Sequence, residues 1–259
     1  MANEKFPFSS YYDFLNSCRK YDTIILVFSS AISILVPLIQ TYYASSAILI
    51  NLLNFLNVLF LILYYVINTS TEIFIYPATA IKRRQGLIDN SFGSKLLDKP
   101  LDGYFSNDNI PFGAYKLAVN CFENCFFTYN ISRTQTLRIV IKNTVCLIVF
   151  LLCAYFGFQK NVIAVPLIQF LTSSIFLKEL IYQLNFTSKL RNLYERFLLF
   201  FSQKEKQQDI AHSIFLMLDY ETILAYNKSP LSDKEWKRLE KPLSQQWEDI
   251  KNRYEINGQ

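Results

Sequence analysis

The chain has 259 residues, of which 51% are hydrophobic, 16% aromatic and 18% charged, and its formal net charge is +5. Soluble domains carry about 25% charged residues. Here the deficit falls in a few long apolar runs, so the composition favours a membrane protein over a soluble one. The positive charge is spread too widely to indicate a nucleic-acid-binding surface. It fits contact with an anionic lipid leaflet instead.

Four apolar runs divide the chain, each of roughly 20 residues, the length that crosses about 30 Å of hydrocarbon as a helix. The first begins after Asp22 and is too long for a cleavable signal peptide, so we interpret it as a retained anchor. We predict an all-α polytopic membrane protein whose four transmembrane helices form two hairpins. The runs are Thr23–Tyr43, Ser46–Ile67, Ile139–Phe158 and Val162–Gln183.

The distribution of basic residues predicts the orientation. Lysine and arginine are concentrated between the hairpins and in the tail, whereas the two hairpin connections carry a single lysine between them. Because basic residues stay on the cytoplasmic side, both termini should be cytoplasmic. The predicted organisation is a cytosolic amphipathic lead-in (1–22), a first hairpin (23–67), a cytosolic insert (68–137), a second hairpin (138–184) and a cytosolic helical tail (185–259).

The hydrophobic pattern of the insert and tail predicts helices that need a covering partner. Ala114–Asn130 is predicted as a helix that packs on the membrane base or on another subunit, because its apolar side is too large to remain in water. The tail from Asn185 to Tyr226 is predicted as a long amphipathic helix, with a break at 204–208. It requires a partner helix, from another subunit or from Ala114–Asn130. The apolar side of Ala114–Asn130 consists of Leu117, Cys121, Phe122, Cys125 and Phe126.

Several local signals predict where these helices bend, begin and end. Pro77 should kink the helix that continues from the second span, and Asp98–Pro111 is dense in turn residues and predicts a loop. Ser232 with Glu235 forms a capping-box pattern that opens a short helix. Pro242 is suited to the first turn of a separate, final helix.

The sequence contains no recognisable catalytic constellation. The single histidine, His212, has no nucleophile at motif spacing, and the glycines match no phosphate-binding loop. Cys121 and Cys125 have helical spacing without the further nitrogen or sulfur ligands that zinc requires, so we predict reduced, buried thiols. We therefore expect no enzymatic activity, no cofactor and no metal.

Polar residues recur on one face of several spans. Asparagine is costly in hydrocarbon unless it faces a partner or water. Either these residues form hydrogen bonds between helices of a hairpin or an oligomer, or they line a conducting path, and the pattern alone leaves both interpretations open. The residues are Ser30, Ser33, Pro37 and Gln40 in the first span, Asn51, Asn54 and Asn57 in the second, and Gln169, Thr172 and Ser173 in the fourth.

The layout and several short motifs resemble the S-4TM family, the SMODS- and SLOG-associating four-transmembrane pore-forming effectors of bacterial antiphage systems. The layout is two hairpins with a cytosolic insert and a helical tail. The motifs are Tyr76-Pro77-x-x-Ala80 with Arg83-Arg84, the run Ile88-Asp89-Asn90-Ser91-Phe92-Gly93, and Ser229-Pro230-Leu231-Ser232-Asp233-x-x-Trp236.

The resemblance implies a homo-oligomer that permeabilises the bacterial inner membrane. A nucleotide-signalling or sensor protein would act on its cytosolic parts, with no direct contact to nucleic acid. Arg83, Arg84, Asp89 and Asn90 would form a cytosolic coupling element. The alternative is a non-conducting membrane scaffold or sensor subunit, in which the polar stripes only hold helices together. A small transporter is less favoured, because transporters usually bury ionisable residues at mid-span.

Overall fold

The computed structural model shows a helical protein. Within the part of the chain that it describes there is no strand, which confirms the predicted all-α class. The described residues are 9–42, 47–99, 104–155, 174–203, 209–227 and 232–256.

The helices in these ranges are numbered in chain order. A π-helical turn, Thr71–Ile75, joins the second to the third without interruption. The helices are α1 (Ser9–Tyr42), α2 (Ala47–Ser70), α3 (Tyr76–Phe92), α4 (Ala114–Tyr155), α5 (Ser174–Ser202), α6 (Ile210–Asn227) and α7 (Asp233–Arg253).

The chain divides into two compact units. The hairpin unit comprises Tyr11–Ala78 and Val140–Leu180, and the core unit comprises Met1–Ser10, Thr79–Ile139 and Ile181–Gln259. The core unit therefore combines most of the predicted cytosolic insert with the predicted cytosolic tail.

Among the described residues, two helices are long and apolar enough to cross a membrane: Ser10–Pro37 and the continuous run Ala47–Phe92. None of the α2 residues is buried, and most of its apolar side chains are exposed. Of the third predicted span, the structure describes helix α4 as far as Tyr155. The fourth enters the described residues only at Ser174, the start of α5.

An aromatic cluster forms the centre of the core unit. Phe122 of α4 is fully buried and stacks on Phe197 and Phe201 of α5, with ring centroids 5.3 and 5.2 Å apart. Trp247 of α7 meets Phe122 edge-on at 5.1 Å and is also buried. The predicted apolar side of Ala114–Asn130 is thus covered by the tail of its own chain, one of the partners that the sequence left open.

In the described part of the tail the chain forms the end of α5 and the helices α6 and α7, and its last part differs from the prediction. Ser232 caps α7 as expected, accepting a hydrogen bond from the Glu235 backbone N–H at 3.4 Å. The prediction that Pro242 begins a separate helix was wrong, since Pro242 lies inside α7. An interior proline costs a backbone hydrogen bond, but Leu243 and Trp247, which follow it, are both buried in the core unit. Their burial offsets that cost.

A π-helical turn directly precedes Pro77, where the sequence predicts a bend. The Tyr76 N–H donates to the Thr71 carbonyl, a bond to the fifth preceding residue. Proline has no N–H for the carbonyl four residues before it and crowds that carbonyl. Widening the helix just before Pro77 relieves this crowding within a continuous helical run.

Candidate functional site

The polar residues of the hairpin unit include a hydrogen-bonded cluster between α1 and α2. Ser29 Oγ donates to Asn57 Oδ1 at 2.6 Å, and Asn57 Nδ2 donates to Ser33 Oγ at 2.9 Å. Ser29 is buried, and its small side chain lets the two helices approach closely. Ser33 and Asn57 were predicted as polar stripe residues, whereas Ser29 was not. Its signal in the sequence was the four-residue spacing to Ser33, which places both on one face.

The other asparagines of α2 lie elsewhere on the helix. Asn51 and Asn54 are exposed, while Asn57 is half-buried against α1. Each step of three residues turns the helix back by about 60°, so Asn51 is about 120° away from Asn57 around the axis. The predicted stripe therefore slants from the hairpin contact to the outer surface of the unit.

The remaining stripe residues have separate positions. Ser30 Oγ donates to the carbonyl of Leu26 at 2.9 Å within α1, and Gln40 is exposed near the end of α1. The predicted stripe residues of the fourth span, Gln169, Thr172 and Ser173, lie outside the described residues.

A second polar cluster of the hairpin unit surrounds Asp22. Asn68 Nδ2 donates to Asp22 Oδ2 at 3.2 Å and lies 3.3 Å from the Tyr64 hydroxyl. One turn earlier on α1, the Arg19 guanidinium stands over the ring of Tyr76 at 5.8 Å. These contacts join α1 to the end of α2 and to the first residue of α3. The sequence analysis used Asp22 only to mark the start of the first span.

In the core unit, Arg83 of α3 forms an ion pair with Glu221 of α6. Arg83 Nη2 lies 2.5 Å from Glu221 Oε2, and the two side chains are only 10% and 11% exposed. The guanidinium also stands over the ring of Tyr220 at 5.7 Å. Arg84 lies farther away, with its Nε 3.9 Å from the same carboxylate oxygen. Both arginines of the predicted coupling element therefore contact one carboxylate.

Asp89, at the end of α3, organises the chain that follows. Its carboxylate accepts hydrogen bonds from Ser94 Oγ at 2.6 Å and from the backbone N–H groups of Leu96 and Leu97 at 2.8 Å. Gly93 ends the helix with a φ of 69°, and its N–H donates to the Asp89 carbonyl. Glycine is suited to this left-handed position. Asp89 therefore has a structural role at a helix end.

Asn90 belongs to a buried polar network. Asn120 of α4 donates to Asn90 Oδ1 at 2.8 Å and to Ser91 Oγ at 3.1 Å. Asn107 Nδ2, from the loop before α4, donates to Asn120 Oδ1 at 3.0 Å and to Glu123 Oε2 at 2.6 Å. The network joins the end of α3 to the loop and to α4.

The same network reaches α7 through Ser106. Ser106 Oγ donates to Glu123 Oε1 at 3.2 Å and accepts from Trp247 Nε1 at 3.1 Å. Lys251 Nζ lies 3.3 Å from the Ser106 carbonyl. Burial raises the pKa of the Glu123 carboxyl to about 7, while the hydrogen bonds from Ser106 and Asn107 and the charge of Lys251 act in the opposite direction.

We predict that Glu123 makes the core unit less stable as the pH rises. Its folded pKa is about 7, above the ordinary value of 4.5. Between these two pKa values the native state holds a proton that the unfolded chain releases. The free energy of unfolding therefore falls by up to about 3 kcal/mol as the pH rises from the lower pKa to the higher one. Glu123→Gln should remove this component. The measurement is denaturant unfolding followed by tryptophan fluorescence at about pH 5 and about pH 8.

The matched control is Glu248→Gln, since Glu248 is exposed on the same unit and pairs with Lys251 at 2.8 Å. It should keep the wild-type pH dependence. If Glu123→Gln also kept the wild-type pH dependence, the assignment to Glu123 would be wrong.

A third charged contact lies between α4 and the start of α7. Glu235 is buried, forms an ion pair with Arg138, and has its Oε2 2.6 Å from Arg238 Nη2. Arg138 immediately precedes the third predicted span. Glu235, predicted only as part of a capping box, therefore also connects the start of α7 to α4.

The side chains that could ligate a metal are dispersed in the described parts of the core unit. No group of three histidine, cysteine or acidic side chains is close enough to hold a metal among these residues. Cys121 and Cys125 are buried and not joined in a disulfide, and burial raises the pKa of both thiols. His212 lies against the ring of Phe200 at 5.1 Å.

The four predicted coupling residues thus fall into three separate contacts: Arg83 and Arg84 with Glu221, Asp89 with the following loop, and Asn90 in the buried network. These contacts connect helices to each other and to the loop after α3. Comparison of the chain with protein-family models, curated proteins and solved structures finds no match.

Proposed function

We propose that this chain is a membrane effector of a bacterial antiphage defence system. After a cytosolic signal it oligomerises and permeabilises the inner membrane. The topology we propose has four transmembrane helices, in two hairpins, with both termini cytoplasmic. The apolar helices α1 and α2 supply the first hairpin, and the described part of α4 supplies most of a third span.

The observation that carries the proposal is the exposure of Asn51 and Asn54 on α2. Within the described residues neither side chain has a hydrogen-bond partner. An asparagine that faces hydrocarbon is costly, and it becomes favourable against another subunit or against water. An oligomer around an aqueous path supplies both. The pairing of Asn57 inside the hairpin leaves these two asparagines free for that role.

The core unit is suited to receive the signal. The buried Arg83–Glu221 pair joins α3 to α6, the Arg138–Glu235 pair joins α4 to α7, and the polar network joins α3, α4 and α7. The resemblance suggests a nucleotide-signalling or sensor protein as the partner. Antiphage function and the inner-membrane location also come from that resemblance.

A non-conducting scaffold or sensor subunit is the second candidate. The observation that favours it is the Ser29–Asn57–Ser33 cluster, in which polar residues of two spans bond each other. In that case the polar residues serve helix packing alone. The two candidates differ in whether the membrane becomes leaky.

The test is expression of the full chain in bacteria, with membrane potential and dye entry followed over time and insertion checked by fractionation. The effector is expected to depolarise the membrane, alone or when its genomic neighbours are co-expressed. An inserted, abundant chain that leaves the potential intact in both conditions would contradict the effector and support the scaffold.

A further inference from the structure

Lys116, in the first turn of α4, is a buried lysine without a negatively charged partner. The residue is only 4% exposed, and lysine is almost never buried to this extent unless it is paired. Among the described residues, Lys116 forms no ion pair and its ammonium group donates no hydrogen bond. The three N–H donors of the ammonium group therefore remain for whatever fills the space in front of it.

That space is a cavity of about 390 Å³, within the range of about 300–1,000 Å³ that is typical of small-molecule sites. A helical side chain tilts toward the N-terminus of its helix, and the Lys116 ammonium accordingly stands over the ring of Phe112, 4.9 Å from its centroid. The ring is itself held in place, because it packs closely against Gly93. The cavity is lined by Asp108, Asn109, Ile110, Pro111, Phe112 and Lys116.

The same end of α4 has free backbone donors. The first helical hydrogen bond runs from the Leu117 N–H to the Gly113 carbonyl at 3.0 Å. The N–H groups of the three residues between them have no acceptor within the described residues, and Gly113 has no side chain that could cap the helix. The N-terminus of this 42-residue helix carries roughly half a positive charge, which disfavours a lysine and favours an anion.

One acidic residue, Asp108, belongs to the lining of the cavity. It is exposed and forms no ion pair with Lys116, so water screens its charge more than that of the buried ammonium group. The ammonium group and the helix end together outweigh this single carboxylate. The cavity therefore favours an anion, and Asp108 weakens the affinity for it.

We infer that this cavity binds the phosphate group of a small phosphorylated molecule. Phosphate oxygens can accept hydrogen bonds from the Lys116 ammonium and from the N–H groups at the helix end, the usual arrangement for phosphate at a helix N-terminus. The Phe112 ring, 66% exposed, offers an apolar wall to the rest of the molecule. The inference goes beyond the proposed function and does not depend on the topology, since all these residues belong to the core unit.

The first experiment is calorimetric titration of the full chain in detergent with inorganic phosphate at constant ionic strength. Saturable binding is expected for the wild type. Lys116→Met should raise the Kd about tenfold or more, as expected when a charge-assisted hydrogen bond is lost. The matched control is Lys95→Met, which removes an exposed lysine of the same unit and should leave the Kd unchanged. A wild type without saturable binding, or equal Kd values for the two variants, would overturn the inference.

Two further variants test the site without removing the buried lysine. Asp108→Asn removes the opposing charge and should lower the Kd for phosphate several-fold, which a purely structural role of this exposed loop residue would not do. Lys116→Arg keeps the positive charge and should retain most of the binding. If Asp108→Asn left the Kd unchanged, the phosphate would bind elsewhere and the inference would be wrong.

A lipid headgroup presents the same phosphate chemistry as a soluble ester, and a titration in nanodiscs distinguishes the two sources. The full chain is reconstituted in phosphatidylcholine alone or with added phosphatidic acid, and inorganic phosphate is titrated into both. A soluble ligand predicts the same Kd in the two bilayers. A headgroup that reaches Lys116 would compete with phosphate and raise the Kd in the second bilayer, and Lys116→Met would abolish that difference.

Discussion

Arg83→Leu is expected to destabilise the core unit by about 3–5 kcal/mol, because it leaves the buried Glu221 carboxylate without its close partner. Arg84 Nε lies 3.9 Å from one oxygen of that carboxylate, and the Arg84 side chain is half exposed. Arg84 therefore compensates only in part for the loss of the Arg83 charge. Glu221→Leu should cost a similar amount, since it leaves the Arg83 guanidinium buried. Equilibrium unfolding of the purified chain, followed by tryptophan fluorescence, measures both.

The double variant Arg83→Leu with Glu221→Leu should recover most of the loss, since a buried ion pair replaced by apolar side chains is often neutral in stability. Arg191→Leu is the matched control. Arg191 pairs with Glu195 at 3.0 Å on the surface of α5, and an exposed ion pair contributes little to stability. Equal losses for Arg83→Leu and Arg191→Leu would show that the buried pair is not a distinct source of stability.

The double variant Asn51→Leu with Asn54→Leu is expected to abolish depolarisation while the protein still inserts. Both side chains are exposed on α2, so in the proposed oligomer leucine would remove the polar lining or the contact between subunits. The hairpin should remain intact because Asn57 keeps its bonds to Ser29 and Ser33. Membrane potential and dye entry on controlled expression give the measurement.

Two controls separate lining from helix packing. Leu59→Ala changes an exposed apolar position on the same helix and should leave depolarisation as in the wild type. Asn57→Leu removes the hairpin bonds, at roughly 0.6 kcal/mol for each bond between membrane helices, and should weaken the hairpin. Undiminished depolarisation by an inserted Asn51/Asn54 variant would refute a role of these residues in the path.

Most of the fold prediction came from the helical periodicity of the apolar residues. The apolar residues of Ala114–Asn130 repeat at helical spacing, and Leu117, Phe122 and Phe126 are indeed buried. Pro242 misled the prediction because local propensity favours a helix start, whereas burial of Leu243 and Trp247 holds a single helix through it. Tertiary contacts override local preference where the apolar face on both sides of a proline is well packed.

The contacts of the candidate site were harder to predict from the sequence. Arg83 and Glu221 are 138 residues apart, so no local pattern could pair them. Asn107 was interpreted only as a turn residue, because its partners Asn120 and Glu123 lie on a helix predicted from its apolar side. Asn51, Asn54 and Asn57 share a spacing, but only packing against α1 decides which amide is covered.

The buried thiols of α4 allow the opening of the core unit to be measured. Cys121 and Cys125 are fully buried beside the aromatic cluster, so a thiol reagent reaches them only when the helices separate. In a variant that keeps only these two cysteines, the labelling rate would report how often the core unit opens. A signal that loosens the core unit before the membrane leaks would accelerate labelling of the thiols ahead of depolarisation. A signal that acts on an already closed assembly would slow the labelling of the thiols.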